Sequence, residues 1–226
     1  MLFSDFNLAN VLITMLILIL SIGNHEFAHA WSAMKLGDRT AYHLGRVSLN
    51  PVVHLDPLGT MMMVFTILAG VGIGWGKPVP VNPFNLKYGP RVGMALTAAA
   101  GPLSNILQAI VWGIPLRLVY HGNLEVSQLV FNALWIGLSV NIGLALFNLI
   151  PIFPLDGFNI LLGALEATRT RWANDALRYL TQPSFIQMAP MLLLGLIFLG
   201  QTTGLNILGT VLGGPAQQLT RLILGV

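Results

Sequence analysis

Cysteine is absent from this chain, and charged residues are scarce. Of the 226 residues, 11 are Lys or Arg and 8 are Asp or Glu, so 8% are charged, whereas a soluble domain carries roughly 25%. The absence of cysteine excludes disulfide bonds and thiolate metal ligands. The scarcity of charge excludes a disordered chain and a water-soluble globule. The basic residues form no cluster, which argues against nucleic-acid binding.

Hydrophobic residues, in contrast, make up 55% of the chain and fall into long uncharged stretches. A helix needs about 20 apolar residues to span the hydrocarbon core of a bilayer. The uncharged stretches are residues 6–24, 57–76, 92–116, 126–155 and 179–220, and the last is long enough for two passes. The sequence therefore predicts an all-α integral membrane protein that forms a single domain over residues 1–226, with five or six membrane-embedded helical segments.

The first stretch has the apolar core of a secretory signal peptide, but its charge does not fit one. The residues before that core include Asp5 and neither Lys nor Arg, whereas a signal peptide carries positive charge there. We therefore expect a retained helix from residue 6 to about residue 34.

The basic residues of the loops predict the orientation, because short cytoplasmic loops are enriched in Lys and Arg. Residues 57–76 leave two alternatives open. This stretch either crosses the bilayer, which places the basic residues after it outside against the charge rule, or enters and returns to the cytoplasmic side. We favour the second alternative. The residues expected on the cytoplasmic side are Lys35, Arg39, Arg46, Arg169, Arg171 and Arg178.

Two segments near this stretch do not have the pattern of a helix. Residues 47–49 and 52–53 are β-prone, and the near alternation of Pro78, Pro80 and Pro83 excludes a helix. Irregular backbone at membrane depth is tolerated only against protein or a wet cavity. We therefore expect short β-strand or re-entrant elements beside a cavity.

Residues 25–29 have the pattern H-E-x-x-H, near the end of the first predicted helix. Histidines at positions i and i+4 share one helix face, so His25 and His29 can supply two nitrogen ligands to one zinc ion. Glu26 lies between them and can act as a base on a water without ligating the metal. The alternative is a pair of core histidines and a glutamate that extends to the interface. Ionisable groups inside a membrane segment are costly and usually functional, which favours the zinc site.

A catalytic zinc usually takes three protein ligands and keeps one position open for water. Asp156 stands out as the third, because it follows thirty uncharged residues and two prolines that break the helix. Its alternative role is a helix N-cap. Glu166 is more simply interpreted as the partner of Arg169 in a surface ion pair. His121 is expected in a solvated loop. The main candidates are His43, His54, His121, Asp56, Glu166 and Asp156.

The order of these motifs resembles that of the site-2 protease family of intramembrane zinc metalloproteases. The shared motifs are H-E-x-x-H at 25–29, GRVSLNPVVHLDPLGT at 45–60, GWGKPVPVNP at 74–83, AGPLSN at 100–105 and N-x-x-P-x-x-P-L-D-G at 148–157. Together they cover roughly residues 20–165. H-E-x-x-H alone is moderately specific, and four further motifs in the same order make the match strong.

The resemblance implies a role for each residue at a matching position. His25, His29 and Asp156 would be the zinc ligands, around a zinc site buried among the helices. Glu26 would be the general base and would later protonate the leaving amine. Asn148 would hold the substrate backbone or stabilise the oxyanion, and an interhelical hydrogen bond is its alternative role.

Further expectations follow from the same resemblance. His54 lies in a family motif and is a candidate at the substrate site, although its chemical role does not follow from the residues. The catalytic core would cover about residues 7–165, and C-terminal helices about residues 180–226. The proline-rich stretch at 74–83 would be a membrane-entering loop that pairs with an extended substrate. We expect a compact form of the family, without an inserted PDZ module or a C-terminal nucleotide-sensing module.

The implied activity is regulated intramembrane proteolysis, with a transmembrane protein or peptide as the substrate. The other partners would be the lipid bilayer and an unidentified regulatory membrane protein, with no nucleic acid. The expected location is the cytoplasmic membrane of a prokaryote, with the active site toward the cytoplasm. A membrane metal transporter and a non-catalytic binder of membrane helices are the alternatives. Against both stands Glu26, an acid placed to activate water.

Overall fold

The computed structural model describes residues 8–69, 74–203 and 207–226, and this part of the chain is helical. Its helices are α1 Leu8–Lys35, α2 Thr40–His43, α3 Pro57–Ala69, α4 Pro90–Tyr120, α5 Gln128–Asn148, α6 Asp156–Thr168, α7 Arg171–Leu180, α8 Pro183–Thr203 and α9 Ile207–Leu224. Two short 3-10 turns, Pro51–His54 and Pro83–Asn85, interrupt the loops. The described residues contain no strand and one isolated antiparallel bridge, so the all-helical prediction is confirmed for them.

Helices α1, α4 and α5 are long and apolar enough to cross a membrane. A fourth span is possible if α7 and residues 183–197, which are bent by 69° relative to each other, form one broken span. The predicted count of five or six is therefore not confirmed. The expected retained first helix corresponds to α1, and the long uncharged stretch at 179–220 divides into α8 and α9 as predicted.

Helix α4 is the centre of the bundle and packs against α1, α5 and α6. Its buried face carries small residues, Gly93, Ala98, Gly101, Ala109 and Gly113. Small side chains let helix backbones approach closely, and this close packing substitutes for the hydrophobic driving force that is missing between helices in lipid. Around it lies an apolar cluster of Ala109, Leu116, Leu134, Leu138, Ile142 and Leu224.

Helix α1 has two contrasting faces. One face exposes Leu8, Leu12, Leu16 and Leu20 at successive i+4 positions, as expected of a stripe in contact with lipid. The opposite face buries Ser21, Ile22, His25, His29 and Ala33 against the bundle. The two histidines of the H-E-x-x-H motif therefore point into protein.

Helix α3 is short, and the chain runs back along it. With 13 residues, α3 is about 20 Å long, less than the roughly 30 Å of a hydrocarbon core. Residues 70–73 lie outside the described residues. The returning chain places Gly74 beside Met63, Trp75 beside Gly59, and Gly76 opposite Leu55, where the antiparallel bridge forms.

The proline-rich segment contains no helix from residue 74 to residue 82, as predicted. The β-strand expected at residues 52–53 was wrong, since both valines lie in the 3-10 turn Pro51–His54. Asn50 explains the difference, because its side chain accepts a hydrogen bond from the Val52 backbone at 3.1 Å and Pro51 starts the turn. This local capping prevails over the β propensity of valine.

Asp38 connects the end of α1 to the segment that follows the prolines. Its carboxylate is fully buried and accepts hydrogen bonds from Thr40, from the Asn82 backbone at 2.7 Å and from the Asn85 amide at 3.1 Å. Burial opposes ionisation, but these hydrogen bonds together hold the pKa of Asp38 below its usual value. The extended segment is thus fastened to α1.

Candidate metal centre

His25, His29 and Asp156 form a compact group of possible metal ligands in the described part of the chain. The Nε2 atoms of the two histidines are 3.0 Å apart. Asp156 Oδ2 is 3.1 Å from His25 Nε2, and Oδ1 is 3.3 Å from His29 Nε2. Ligand atoms about 2.1 Å from a tetrahedral zinc ion are roughly 3.4 Å from one another. The three side chains therefore fit one ion of this size.

The other ring nitrogen of each histidine contacts an acceptor on α4. His29 Nδ1 is 2.8 Å from the carbonyl oxygen of Thr97, and His25 Nδ1 is 2.6 Å from Asn105 Oδ1. Donation of the Nδ1 proton to such partners fixes the ring and leaves the lone pair on Nε2 for a metal. Residues 100–105 were recognised as a motif, but sequence reasoning did not identify Asn105 or Thr97 as partners of the histidines.

Gly101 provides the space in which the imidazole rings lie. A Cβ atom at this position would be 2.4 Å from His29 Nε2 and 2.5 Å from His25 Cε1. Only glycine leaves room there for both rings, because real side chains do not approach so closely. The sequence contained the residue within a motif but gave no sign of this contact.

Asp156 reaches the site from the first turn of α6, after the irregular chain that follows α5. The N-cap position of α6 is Leu155, and Asp156 makes no capping hydrogen bond there. Its Oδ2 atom is buried and accepts no hydrogen bond of good geometry, although His25 Nε2 is close. A buried carboxylate oxygen without a donor is costly. A cation at the centre of the three ligands would compensate this cost, so the residues present fit a metal ion.

Glu26 follows His25 in α1 and is half-buried. It is not one of the three residues whose ligand atoms converge. A Cβ atom at Gly76 would be 3.4 Å from Glu26 Cγ and 3.3 Å from the carbonyl oxygen of His54. The extended segment therefore passes directly beside Glu26, next to the ligand group.

His54 lies under the extended segment and outside the ligand group. Its ring is fully buried, with Nε2 2.8 Å from the carbonyl oxygen of Ser48. Burial lowers the pKa of His54, and the nearby Arg46 guanidinium lowers it further. The backbone carbonyl of His54 accepts a hydrogen bond from Lys77 at 2.8 Å. This arrangement supports the segment beside Glu26.

Asn148 lies in the last turn of α5 and is half-buried. Its Nδ2 atom donates to the carbonyl oxygen of Leu144 at 3.0 Å, one turn earlier in the same helix. This bond occupies one of the two amide N–H donors and leaves the second N–H and the Oδ1 acceptor available. Asn148 is not part of the three-residue ligand group.

Two of the other candidate ligands have structural partners. Asp56 Oδ1 accepts a hydrogen bond from the Gly59 backbone at 2.7 Å and so caps the start of α3. Glu166 pairs with Arg91, with 2.7 Å between Nη1 and Oε2. The expected partner Arg169 was wrong, because α6 packs against α4 and brings Arg91 to this carboxylate.

The remaining histidines also have partners elsewhere in the fold. His121 follows α4, is exposed as expected, and places Nε2 3.3 Å from the carbonyl oxygen of Leu224. His43 ends α2 and packs edge-on against the ring of Tyr42. Of the six candidates for the third ligand, Asp156 is the one that the structure brings to His25 and His29.

Comparison with known proteins supports the site-2 protease resemblance. Residues 112–194 match the model of peptidase family M50. A Bacillus subtilis protein named "Putative zinc metalloprotease YwhC" is 41% identical over 150 residues, which cover 64% of this chain and 65% of that protein. A Mycolicibacterium smegmatis protein named "Putative zinc metalloprotease Rip2" is 28% identical over 153 residues, or 66% of this chain and 54% of that protein.

The chain thus matches between about half and two thirds of the length of these curated relatives. No solved structure matches the chain. The family match includes Asp156, and the structure brings this residue to the histidines of the H-E-x-x-H motif. The chain is therefore similar to peptidase family M50, the site-2 protease family, over the matched residues.

Proposed function

We propose that this protein is an intramembrane zinc metalloendopeptidase, which hydrolyses a peptide bond in or near a transmembrane segment of a membrane-protein substrate. The observation that carries the proposal is the convergence of His25, His29 and Asp156. Glu26 lies on α1 between the two histidines. The names of the relatives support zinc as the metal. Two histidines and one carboxylate form a ligand set used by catalytic zinc, which retains an open position.

The metal and Glu26 have different roles in the proposed hydrolysis. A zinc ion held by His25, His29 and Asp156 would supply a Lewis acid, able to polarise a carbonyl group and to lower the pKa of a water toward about 7. Glu26 accepts the proton of that water as the general base and then delivers it to the leaving amine. Glu26 follows His25 directly in α1, and it is not one of the three residues whose ligand atoms converge.

Asn148 is proposed to hold the backbone of the substrate. One N–H of its Nδ2 group donates to Leu144, which leaves the second N–H and the Oδ1 atom available. Oδ1 can accept a hydrogen bond from a substrate N–H, and the second N–H can donate to an oxyanion. His54 is proposed to act indirectly, through the carbonyl that fixes the extended segment at Lys77.

The extended segment at 74–82 is proposed as the surface that receives the substrate. A helical amide is shielded by its own hydrogen bonds, so the substrate must unwind before hydrolysis. An unwound peptide can add as a strand to extended backbone. Arg46 supports the segment, since its buried guanidinium donates to the carbonyl oxygens of Lys77 and Pro78.

We further propose that residues 57–76 form a re-entrant element. The return of the chain from Gly74 to Gly76 along α3 supports this arrangement, as does the short length of α3. Lys35, Arg39 and Lys77 then lie on one side of the bilayer, which is the cytoplasmic side by the charge rule. The active site would open toward the cytoplasm in the cytoplasmic membrane of a prokaryote.

The test compares membrane proteomes of cells that carry wild-type protein or the Glu26→Gln variant. We expect the variant to bind zinc as the wild type does and to lose cleavage, so a fragment of the substrate disappears. Glu166→Gln is the matched control, because Glu166 is 43% exposed and paired with Arg91, and we expect it to retain cleavage. Substantial proteolysis by purified Glu26→Gln protein would refute the assignment of the base. Zinc flux in proteoliposomes without any peptidase activity would instead favour a transporter.

A further inference from the structure

The two histidines are held by partners of different kinds. His29 Nδ1 faces the carbonyl oxygen of Thr97. A carbonyl only accepts, so Nδ1 carries the proton and Nε2 keeps its lone pair. His25 Nδ1 faces the side-chain amide of Asn105, and an amide can present either its oxygen or its nitrogen. The tautomer of His25 therefore depends on the orientation of Asn105.

A backbone carbonyl in α5 determines that orientation through a second asparagine. One amide atom of Asn141 lies 2.9 Å from the carbonyl oxygen of Gly137. Because this carbonyl cannot donate, that atom is the nitrogen Nδ2, and Asn141 Oδ1 faces Asn105 at 3.0 Å. Asn105 must then donate with its own Nδ2, which leaves Asn105 Oδ1 to accept from His25 Nδ1 at 2.6 Å.

Ser21 closes the same network from α1. Its hydroxyl lies 2.9 Å from Asn141 Nδ2, and its backbone carbonyl lies 3.5 Å from Asn105 Nδ2. Ser21, Asn105 and Asn141 are at most 1% exposed. Bulk water therefore cannot compensate an amide that turns the wrong way, and such a group would be left unsatisfied.

We propose that Asn141 is a positioning residue for the metal centre, which acts through Asn105 to hold His25 in the tautomer with the proton on Nδ1. This tautomer leaves His25 Nε2 free to bind the metal. Without an acceptor at position 141, only the longer 3.5 Å contact with the Ser21 carbonyl holds Asn105 in this orientation. Asn105 can then turn and present its Nδ2 to the ring, and His25 takes its proton on Nε2. The inference rests on the proposed function for the identity of the metal, zinc.

Zinc affinity of the purified full chain, measured by competition with a chelator, tests this inference. We expect Asn141→Leu to weaken zinc binding about 10- to 100-fold, the usual effect of losing an outer hydrogen-bond partner. The matched control is Asn132→Leu in the same helix, because Asn132 also donates to an asparagine of α1, at 3.2 Å, away from the ligands. We expect its affinity to stay within about threefold of wild type, since no ligand depends on it.

A second substitution separates orientation from packing. Either oxygen of an aspartate at position 105 can accept from His25, so its orientation no longer matters. We therefore expect the double variant Asn105→Asp with Asn141→Leu to recover affinity to within about threefold of wild type. Nitrogen-15 NMR of labelled histidine in the metal-free proteins gives a direct readout, with the His25 proton on Nδ1 in wild type and double variant and on Nε2 in Asn141→Leu.

The inference is overturned if Asn141→Leu binds zinc as tightly as Asn132→Leu, or if the double variant remains as weak as Asn141→Leu. Should Asn141→Leu not yield monodisperse protein, Asn141→Ser carries the same comparison. The shorter serine bonds the carbonyl one turn earlier in its own helix and does not reach Asn105. Wild-type protein that binds no zinc would contradict the proposed function, whereas unchanged affinity in the variants would contradict this inference alone.

Discussion

Replacement of Gly101 by alanine directly tests the geometry of the metal centre. The added Cβ atom would lie 2.4 Å from His29 Nε2 and 2.5 Å from His25 Cε1. Carbon atoms in contact are about 3.5 Å apart, so the rings or α4 must retreat by about 1 Å. Distances in a metal site tolerate changes of only about 0.2 Å. The substitution therefore displaces both histidines from ligand geometry.

The expected loss of zinc affinity is large, while the fold should persist. Movement of α4 gives no relief, because α4 also carries Thr97 and Asn105, which orient the two rings. With both nitrogen ligands displaced, we expect zinc affinity to fall at least about 100-fold, or about 2.7 kcal/mol. The measurement is made on protein that remains folded, as judged by its circular dichroism spectrum and its monodispersity.

The assay is the zinc content of detergent-purified protein, dialysed against a buffered range of free zinc. Gly143→Ala in α5 is the matched control, because a Cβ atom there has no neighbour within 4 Å. An alanine in a helix interior is favoured over glycine by about 1 kcal/mol, so the control should bind zinc normally and be slightly more stable. If Gly101→Ala retains the zinc affinity of wild type, the assignment of Gly101 as the space for the ligands is refuted.

Two further predictions concern the extended segment. Arg46→Leu leaves the carbonyl oxygens of Lys77 and Pro78 without their donor, at a cost of about 1–3 kcal/mol. We therefore expect faster hydrogen exchange at residues 77–82 and slower cleavage, with unchanged zinc affinity. Asp38 has a lowered pKa in the folded state, so its carboxylate stabilises the fold at pH values above its ordinary pKa of 3.8. This stabilisation is lost as the pH falls through the pKa of Asp38 in the folded protein. Thermal unfolding should therefore show a smaller loss of stability below pH 4 for Asp38→Asn than for wild type, and equal slopes would contradict the role of Asp38.

Local patterns were sufficient to predict much of the helical structure. The uncharged stretches at 92–116 and 126–155 correspond to α4 and α5, because continuous apolar sequence in a membrane protein leaves a helix as the way to satisfy backbone hydrogen bonds. The span count was less predictable. Residues 57–76 have the length of a span, but their described part comprises the short α3 and residues 74–76, which lie against it through contacts of Gly74 with Met63 and of Gly59 with Trp75. The hydropathy of a sequence does not predict such contacts between residues.

The H-E-x-x-H motif determined by itself that His25 and His29 share a helix face, because their spacing is local and follows from helix geometry. The charge pattern and the prolines also singled out Asp156. Only the tertiary structure decided that Asp156 meets the histidines within 3.3 Å, that Gly101 leaves them room, and that Asn105 and Thr97 orient them. These contacts join helices distant in sequence, and neither periodicity nor spacing specifies which faces of α1, α4 and α6 pack together.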